Sequence, residues 1–466
     1  MPQPEHRSLW DLTAAAGLPP RRFLADHSGC VSLADLNHRG TLAAPLERFR
    51  GQSVLVSSDR QVVFALALLQ LEGLAARIVL CPPDLAPMHL PAVMAEAQVD
   101  VVVCDGTGPA AHLPTAMPVV AFAAAPRPHS QPPGDHDRHT TTQWLLFTSG
   151  TTARPKLVVH TLASLTGPLD DRLAVAEDAV WCTFYDVRRY GGLQILLRAL
   201  LGGGSMVLSQ SDEPVASFLT RAGECRVTHI SGTPSHWRRA LMSSAAESIS
   251  PRYIRLSGEV ADQAILNHLA AAYPAARITH AFASTEAGVA FDVSDGLAGF
   301  PKALIGQPGA KTDLRIENGS LRIRSARTAS RYLGDRGVLA DAEGFVDTGD
   351  TVVLRGDRYY FVGRREGVIN VGGQKVHPEE VEAVISQHPG VRMARVHGRP
   401  SPITGALVVA DIVVQPSAKP DSVEAIKAEI LVACQAALPA HKVPAMLRAV
   451  TTLDIAASGK LARRLA

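Results

Sequence analysis

Leu145-Leu146-Phe147-Thr148-Ser149-Gly150-Thr151-Thr152-Ala153-Arg154-Pro155-Lys156 is an apolar run that breaks off into small hydroxyl residues, a glycine, a proline and a lysine. The pattern predicts a buried strand that feeds a loop. Backbone N–H groups, four hydroxyls and one ammonium in so short a loop suit a polyphosphate. The order is not that of a Walker loop, which needs G-x-x-x-x-G-K-[ST]. Taken alone, the stretch is also compatible with an ordinary Ser/Thr-rich turn.

Working outward, the preceding segments alternate between two periodicities. SVLVSS (53–58), ARIVLCP (76–82), DVVVCD (100–105) and MPVVAF (117–122) read as strands, and 62–75 and 89–98 as helices. This βαβα rhythm predicts parallel sheets covered by helices. Residues 123–139 are rich in proline and polar groups and read as an exposed connector. From 311 the texture changes to short strands with glycine turns. There LRIENGSLRI, with Asn318-Gly319 between alternating residues, predicts a hairpin. After about Arg365 a small α+β unit begins, with a helix over 378–390 that has a proline start, an acidic first turn and a glycine stop.

Thr-Ser-Gly-Thr-Thr-x-x-Pro-Lys at 148–156 resembles the ATP-phosphate loop of the adenylate-forming superfamily, the AMP-dependent acyl-CoA synthetases and ligases, with Ala153 where the family usually has glycine. Four further segments carry the resemblance in the family's order: Ala281-Phe282-Ala283-Ser284-Thr285-Glu286, Phe345-Val346-Asp347-Thr348-Gly349-Asp350, the block from Gly363-Arg364-Arg365-Glu366 to Gly372-Gly373, and Ala457-Ser458-Gly459-Lys460. Ser257-Gly258-Glu259 resembles a shorter adenine-pocket block. The resemblance implies an α/β fold: a large N-terminal adenylate-forming domain (1–365) of βαβα sheets plus a small β-barrel-like subdomain, and a small mobile α+β lid domain (366–466).

The resemblance also implies roles. Thr148, Ser149, Gly150, Thr151, Thr152 and Lys156 would hold the phosphates of ATP. Gly258, Glu259, Ala283, Ser284 and the ring of Phe282 would line the adenine site. Thr285 would meet the α-phosphate, Glu286 would hold Mg²⁺, Asp350 would bind the ribose hydroxyls and Arg364 the ribose or phosphate. Lys460 would reach the carboxylate and the α-phosphate. Lys460, Thr285 and Glu286 are thus the catalytic set. Glu366 falls at the hinge, and Gly372-Gly373 in the loop that approaches CoA. The physics agrees: a flat ring suits a purine, a hard carboxylate oxygen suits Mg²⁺, and an ionised carboxylate can accept from two hydroxyls.

The segments that line the acid pocket in the family are here Tyr185, Asp186, Arg188, Arg189 and Tyr190, and Ser231, Gly232 and Thr233. The arginines are expected either to select an acid with a second polar group or to form a structural ion pair with Asp186.

The implied activity is ATP-dependent formation of an acyl-adenylate from a small carboxylic acid, followed by transfer to CoA. Transfer to a separate carrier protein, or to an amine, are the alternatives. A non-catalytic nucleotide-binding homologue is disfavoured by the intact Thr285, Glu286, Asp350, Arg364 and Lys460. Composition sets the outer bounds. The 466-residue chain is 46% hydrophobic and 19% charged, with net charge +2. That balance argues against a nucleic-acid or membrane-surface role. Six scattered cysteines and a charged start, without an apolar signal core or a convincing membrane span, lead to the expectation of a cytoplasmic protein with reduced thiols.

Overall fold

The computed structural model describes residues 7–37, 39–113, 118–128, 138–148, 155–167, 169, 178–210, 212–307, 311–334, 337–402, 404–415, 420–456 and 460–462. Two eight-stranded sheets make the large part of the molecule. In the first, Ser53–Ser57 pairs in parallel with Arg77–Leu80 on one side and Val101–Cys104 on the other, and Gln143–Phe147 continues beyond Arg77–Leu80. Every residue of Ser53–Ser57 is buried, as expected of a parallel strand covered on both faces. Leu157–Thr161 then folds back antiparallel on Gln143–Phe147. Thr148 N donates to Lys156 O at 3.0 Å where the first of these strands ends and the second begins, and residues 149–154 lie outside the described residues.

The second sheet runs Gly288–Val293, Arg277–Ser284, Tyr253–Ser257, His229–Gly232, Val180–Thr183, Ser205–Leu208, Phe23–Asp26 and Gly29–Ser32. Helices Gln61–Leu71 and Tyr190–Leu201 lie in the core that joins the two sheets. In Gln61–Leu71 every residue but Val63 is buried, which is what an apolar pattern on all sides of a helix requires. The helix stops before the expected residue 75, where Gly73 turns at φ +82°. Residues expected to begin the exposed connector belong instead to the strand Val119–Pro128, and 129–137 lie outside the described residues.

A five-stranded sheet follows, holding the hairpin Thr312–Glu317 and Ser320–Ser325 in the expected register. Asn318 and Gly319 both take positive φ at its turn, as a type I′ turn demands. The strands Val346–Arg355 and Arg358–Arg364 of this sheet lead through a single 3-10 turn, Arg365–Gly367, into the smaller C-terminal part. That part has the hairpin Ile369–Val371 and Gln374–Val376, helices Pro378–Ile385 and Pro420–Ala437, and a three-stranded sheet with its own apolar core. The α/β class and the large and small parts are as the sequence implies. Among the described residues no helix is long and apolar enough to cross a membrane.

One glycine couples the fold to the turn carrying Thr285 and Glu286. Gly288 sits at φ +75° where that turn re-enters the sheet, and a Cβ there would strike the Arg327 backbone. Gly288→Ala is therefore expected to cost about 1–3 kcal/mol, read as a lowered denaturation midpoint. An unchanged midpoint would show that the turn tolerates the side chain.

Candidate active site

The carboxyl ends of the parallel strands of the second sheet open into a cleft of about 1300 Å³ between the large and the small parts. Gly258, Glu259, Phe282, Ala283, Asp350, Arg364, Gly373 and Lys460 all line it. Residues as far apart in sequence as Gly258 and Lys460 thus meet at one place, which is where open α/β sheets bind ligands.

Lys460 is the centre of the arrangement. Its Cε lies against Gly258, with 3.6 Å to the place a Cβ would occupy. Burial pushes its pKa down and the Arg364 charge adds to this, while Asp350, Glu259 and Glu286 work the other way. Lys460 reaches the cleft because its neighbours are pinned. Leu461 N donates to Glu259 Oε1 at 2.7 Å, and Ala456 N donates to Lys460 O at 2.8 Å. Glu259 is held in turn by Ser235 N and Ser235 Oγ at 2.9 and 3.0 Å, at the start of helix Pro234–Leu241. Glu259 therefore joins the large part to the C-terminal segment as well as lining the cleft. Residues 457–459 of the Ser-Gly-Lys block lie outside the described residues.

Asp350 and Arg364 face each other across neighbouring strands, with Arg364 Nε 3.3 Å from Asp350 Oδ1. Burial raises the Asp350 pKa, and Arg364 and Lys460 oppose the rise. Phe282 lies parallel to Phe361 at 4.9 Å between centroids and next to Phe291 at 5.9 Å. A purine stacked on Phe282 would extend an existing pile of rings.

Thr285 and Glu286 form the turn between Arg277–Ser284 and Gly288–Val293. Ser284 Oγ accepts from Ala287 N at 3.0 Å, and Glu286 O accepts from Ala329 N at 2.9 Å. The sequence reading missed a third support. His160 is fully buried on Leu157–Thr161, its Nε2 lies 2.7 Å from Thr285 O, and its Nδ1 lies 2.9 Å from Ser164 Oγ. Burial lowers its pKa to about 4, so the ring is neutral and Nε2 is the donor to the carbonyl. A histidine in a strand pattern carries no signal of such a bond in sequence.

The phosphate-loop candidates are split. Thr148 and Lys156 stand at the two ends, Lys156 with its Nζ 5.7 Å from the centre of the Tyr332 ring. Ser149, Gly150, Thr151 and Thr152 lie outside the described residues. At the proposed hinge, Glu366 belongs to the turn Arg365–Gly367. Gly372 and Gly373 take φ +58° and +84° between the two strands of the hairpin. Their glycine character is required by the turn itself.

The expected acid-pocket arginines are committed elsewhere. Arg188 is fully buried, with Nε and Nη2 each 2.6 Å from the Asp186 carboxylate and Nη1 on Ser58 O. Arg189 Nη2 lies 2.7 Å from Asp84 Oδ2. Of the two expectations for this cluster, the ion pair is what the structure contains. Tyr185 is buried with its hydroxyl donating to Ser257 O at 2.7 Å, and Tyr190 packs 5.5 Å from the His160 ring. Thr233 caps helix Pro234–Leu241, a Cβ on Gly232 would press on the Phe184 ring, and Ser231 is fully buried.

A protein-family model for AMP-binding enzymes matches residues 14–332, and the model for their C-terminal domain matches 380–460. The chain belongs to this family, the adenylate-forming superfamily. It is 27% identical over 338 residues to 2-succinylbenzoate–CoA ligase of Staphylococcus aureus (strain JH9), covering 68% of this chain and 65% of the relative. It is also 27% identical over 499 residues to CymA of Salinispora arenicola (strain CNS-205), described as a probable nonribosomal peptide synthetase. That match takes in 97% of this chain but 6% of CymA, so the chain spans less than two thirds of the length of either relative. Its fold is also that of the anthranilate CoA ligase AuaEII in complex with anthranoyl-AMP, at TM-score 0.77 and 18% identity, over 98% of this chain and 96% of that one.

Arg188→Met would leave Asp186 buried beside no cation. Loss of about 3–5 kcal/mol is expected, measured by denaturant unfolding. An unchanged midpoint would mean that the ion pair does not support the fold.

Proposed function

We propose that the protein activates a small carboxylic acid with ATP as an acyl-adenylate and passes the acyl group to the thiol of CoA. The observation that carries this reading is the seat of Lys460, an ammonium buried in the cleft among Glu259, Glu286 and Asp350 with Arg364 beside it. A cation so placed is needed only if anions are to meet there. The two relatives named as CoA ligases, one for 2-succinylbenzoate and one for anthranilate, support the thiol acceptor.

In the first step a carboxylate oxygen attacks the α-phosphorus. The new P–O bond forms as the bond to pyrophosphate breaks. The step brings two anions together, so the protein's contribution is orientation and positive charge. Lys460 and Arg364 supply fixed charge, Thr285 offers a hydroxyl beside the α-phosphate, and the 148–156 loop takes the leaving phosphates. The carboxylate of Asp350 accepts from the ribose hydroxyls. In the second step a thiol loses its proton, its sulfur bonds to the acyl carbon, and AMP leaves with the electron pair of the broken C–O bond. Residues 1–365 would form the adenylation domain and 366–466 the lid that turns about Glu366 between the steps. Gly372-Gly373 would then lie beside the arm of CoA.

Mg²⁺ fits this donor set. Among the described residues no group of three or more His, Cys, Asp or Glu could hold a metal ion. One carboxylate suits an ion that keeps its waters and takes substrate phosphates as its other ligands. Glu286 would hold it, where it would neutralise charge on the phosphates.

The match over almost the whole chain to a probable peptide synthetase favours one second reading, in which a carrier protein replaces CoA as the thiol.

Lys460→Ala is expected to slow acyl-adenylate formation about 10²–10³-fold and to leave thioester formation from pre-made acyl-AMP intact. Pyrophosphate release and thioester assays read the two steps separately, and equal loss in both would overturn the assignment. Glu286→Gln is expected to raise the Mg²⁺ concentration needed for half-maximal pyrophosphate release, because a neutral amide is the weaker ligand. An unchanged Mg²⁺ dependence would remove Glu286 from the metal.

A further inference from the structure

Ser231, Arg255 and Thr279 stand side by side on the three adjacent parallel strands His229–Gly232, Tyr253–Ser257 and Arg277–Ser284. Residues in register on parallel strands point to the same face. Here that is the face toward helix Tyr190–Leu201, since Ile230, Ile254 and Leu256 pack into the separate core on the other side. The three are 0%, 4% and 2% exposed. Among the described residues Ser231 Oγ and Thr279 Oγ1 have no hydrogen-bond partner, and neither does Arg198 Nε on the facing helix. Buried polar groups are nearly always paired, so three together point to a missing occupant.

The charges say what kind. Arg255 lies 2.7 Å from Asp292. Burial lowers its pKa, but Asp292 and Tyr253 more than reverse this and hold it protonated. Burial likewise raises Asp292, yet Arg255, Arg198 and Arg327 together pull it below the usual carboxylate range. The fields of three guanidiniums therefore fall on one carboxylate, which Arg255 contacts directly. Other buried arginines contrast with this. Arg22 spends its donors on the carbonyls of Thr13, Gly17, Leu200 and Gly204. Arg188 saturates Asp186 and Ser58. A guanidinium has five donors, and Asp292 and Tyr253 do not use up those of Arg255.

The row has a route to the cleft. One pleat further along the same face come Ser257 and Ala281, paired with each other, both small. Ala281 lines the cleft, and Gly258, against which Lys460 lies, follows Ser257 directly. Arg255 thus sits about 7 Å of strand below the reacting end, the reach of an aryl ring or a short chain.

We infer that the acid is one whose end remote from the reacting carboxylate carries a second anionic group, received by Arg255 with Ser231 and Thr279. This rests on the adenylation reading above.

The test is pyrophosphate release with matched acids, aryl and aliphatic, bearing a distal carboxylate, carboxamide or methyl. The wild type is expected to show a kcat/KM at least about 10-fold higher for the distal carboxylate than for the methyl analogue. Arg255→Met should cost that acid about 10²-fold and the methyl analogue less than about 3-fold, with Arg255→Lys recovering part of the loss. Arg255→Met also removes the ion pair with Asp292, so a second variant separates binding from stability. Ser231→Ala combined with Thr279→Val removes two unpartnered hydroxyls and should narrow the same preference several-fold. A wild-type preference for neutral acids, equal losses across the panel, or an unchanged ranking in the double variant overturns the inference. Release with none of the acids would overturn the adenylation reading and this inference with it.

Discussion

A buried ammonium is costly unless carboxylates surround it, and the seat of Lys460 is organised by that cost. Its counter-charges come from three separate pieces of chain. Glu259 follows one strand, Glu286 lies in a turn between two others, and Asp350 lies on a strand of the five-stranded sheet. None of the three takes its place near the lysine unless its own sheet has formed. The lysine reaches it only when the C-terminal part lies against the large one. The bond from Leu461 N to Glu259 is the mechanical half of that constraint. The same carboxylate accepts from Ser235 at the start of a helix and from the C-terminal segment, so one side chain ties the floor of the cleft to the segment that carries Lys460.

Much of this was legible in sequence, for definite reasons. Val- and Leu-rich runs such as 53–57 and 101–104 must be buried on both faces, and they are. Asn318-Gly319 can hardly do anything but turn a hairpin, since both residues need positive φ there. The blocks around Glu286, Asp350, Arg364 and Lys460 were found in order, and Lys460 converges on all three of the others. The failures are equally physical. For Arg188 and Arg189 the sequence left a pocket role and an ion pair with Asp186 both open, because sequence shows charge but not partners; the structure contains the ion pair for Arg188. Asp186 lies two positions away, whereas Asp84, which takes Arg189, is over a hundred away. Arg255 and His160 sat unremarked inside strand patterns. Their meaning depends on register with strands far off in sequence, which no local pattern encodes.

The closed arrangement also depends on what is absent from a strand. Gly363 adopts φ +142° on Arg358–Arg364, and a Cβ there would run into the Glu379 carboxylate and crowd the His377 ring at the start of helix Pro378–Ile385. That helix packs on the same strand. The C-terminal part therefore rests on a strip of bare backbone one residue before Arg364, and Arg364 is itself bound to Asp350. In the proposed cycle the lid must leave this place for the second step. The contacts it would leave include an ion pair between Arg355 and Glu380 at 3.6 Å. Glu379 rests over a glycine, and one main-chain bond holds Leu461. Contacts of that kind are each worth about 1 kcal/mol net, so few of them can be broken and remade at modest cost. A large apolar interface would hold Lys460 as firmly in the second step, where its work is done, as in the first. A strongly organised charge seat held by few, individually weak contacts is what the proposed two-step cycle with one moving lysine would need.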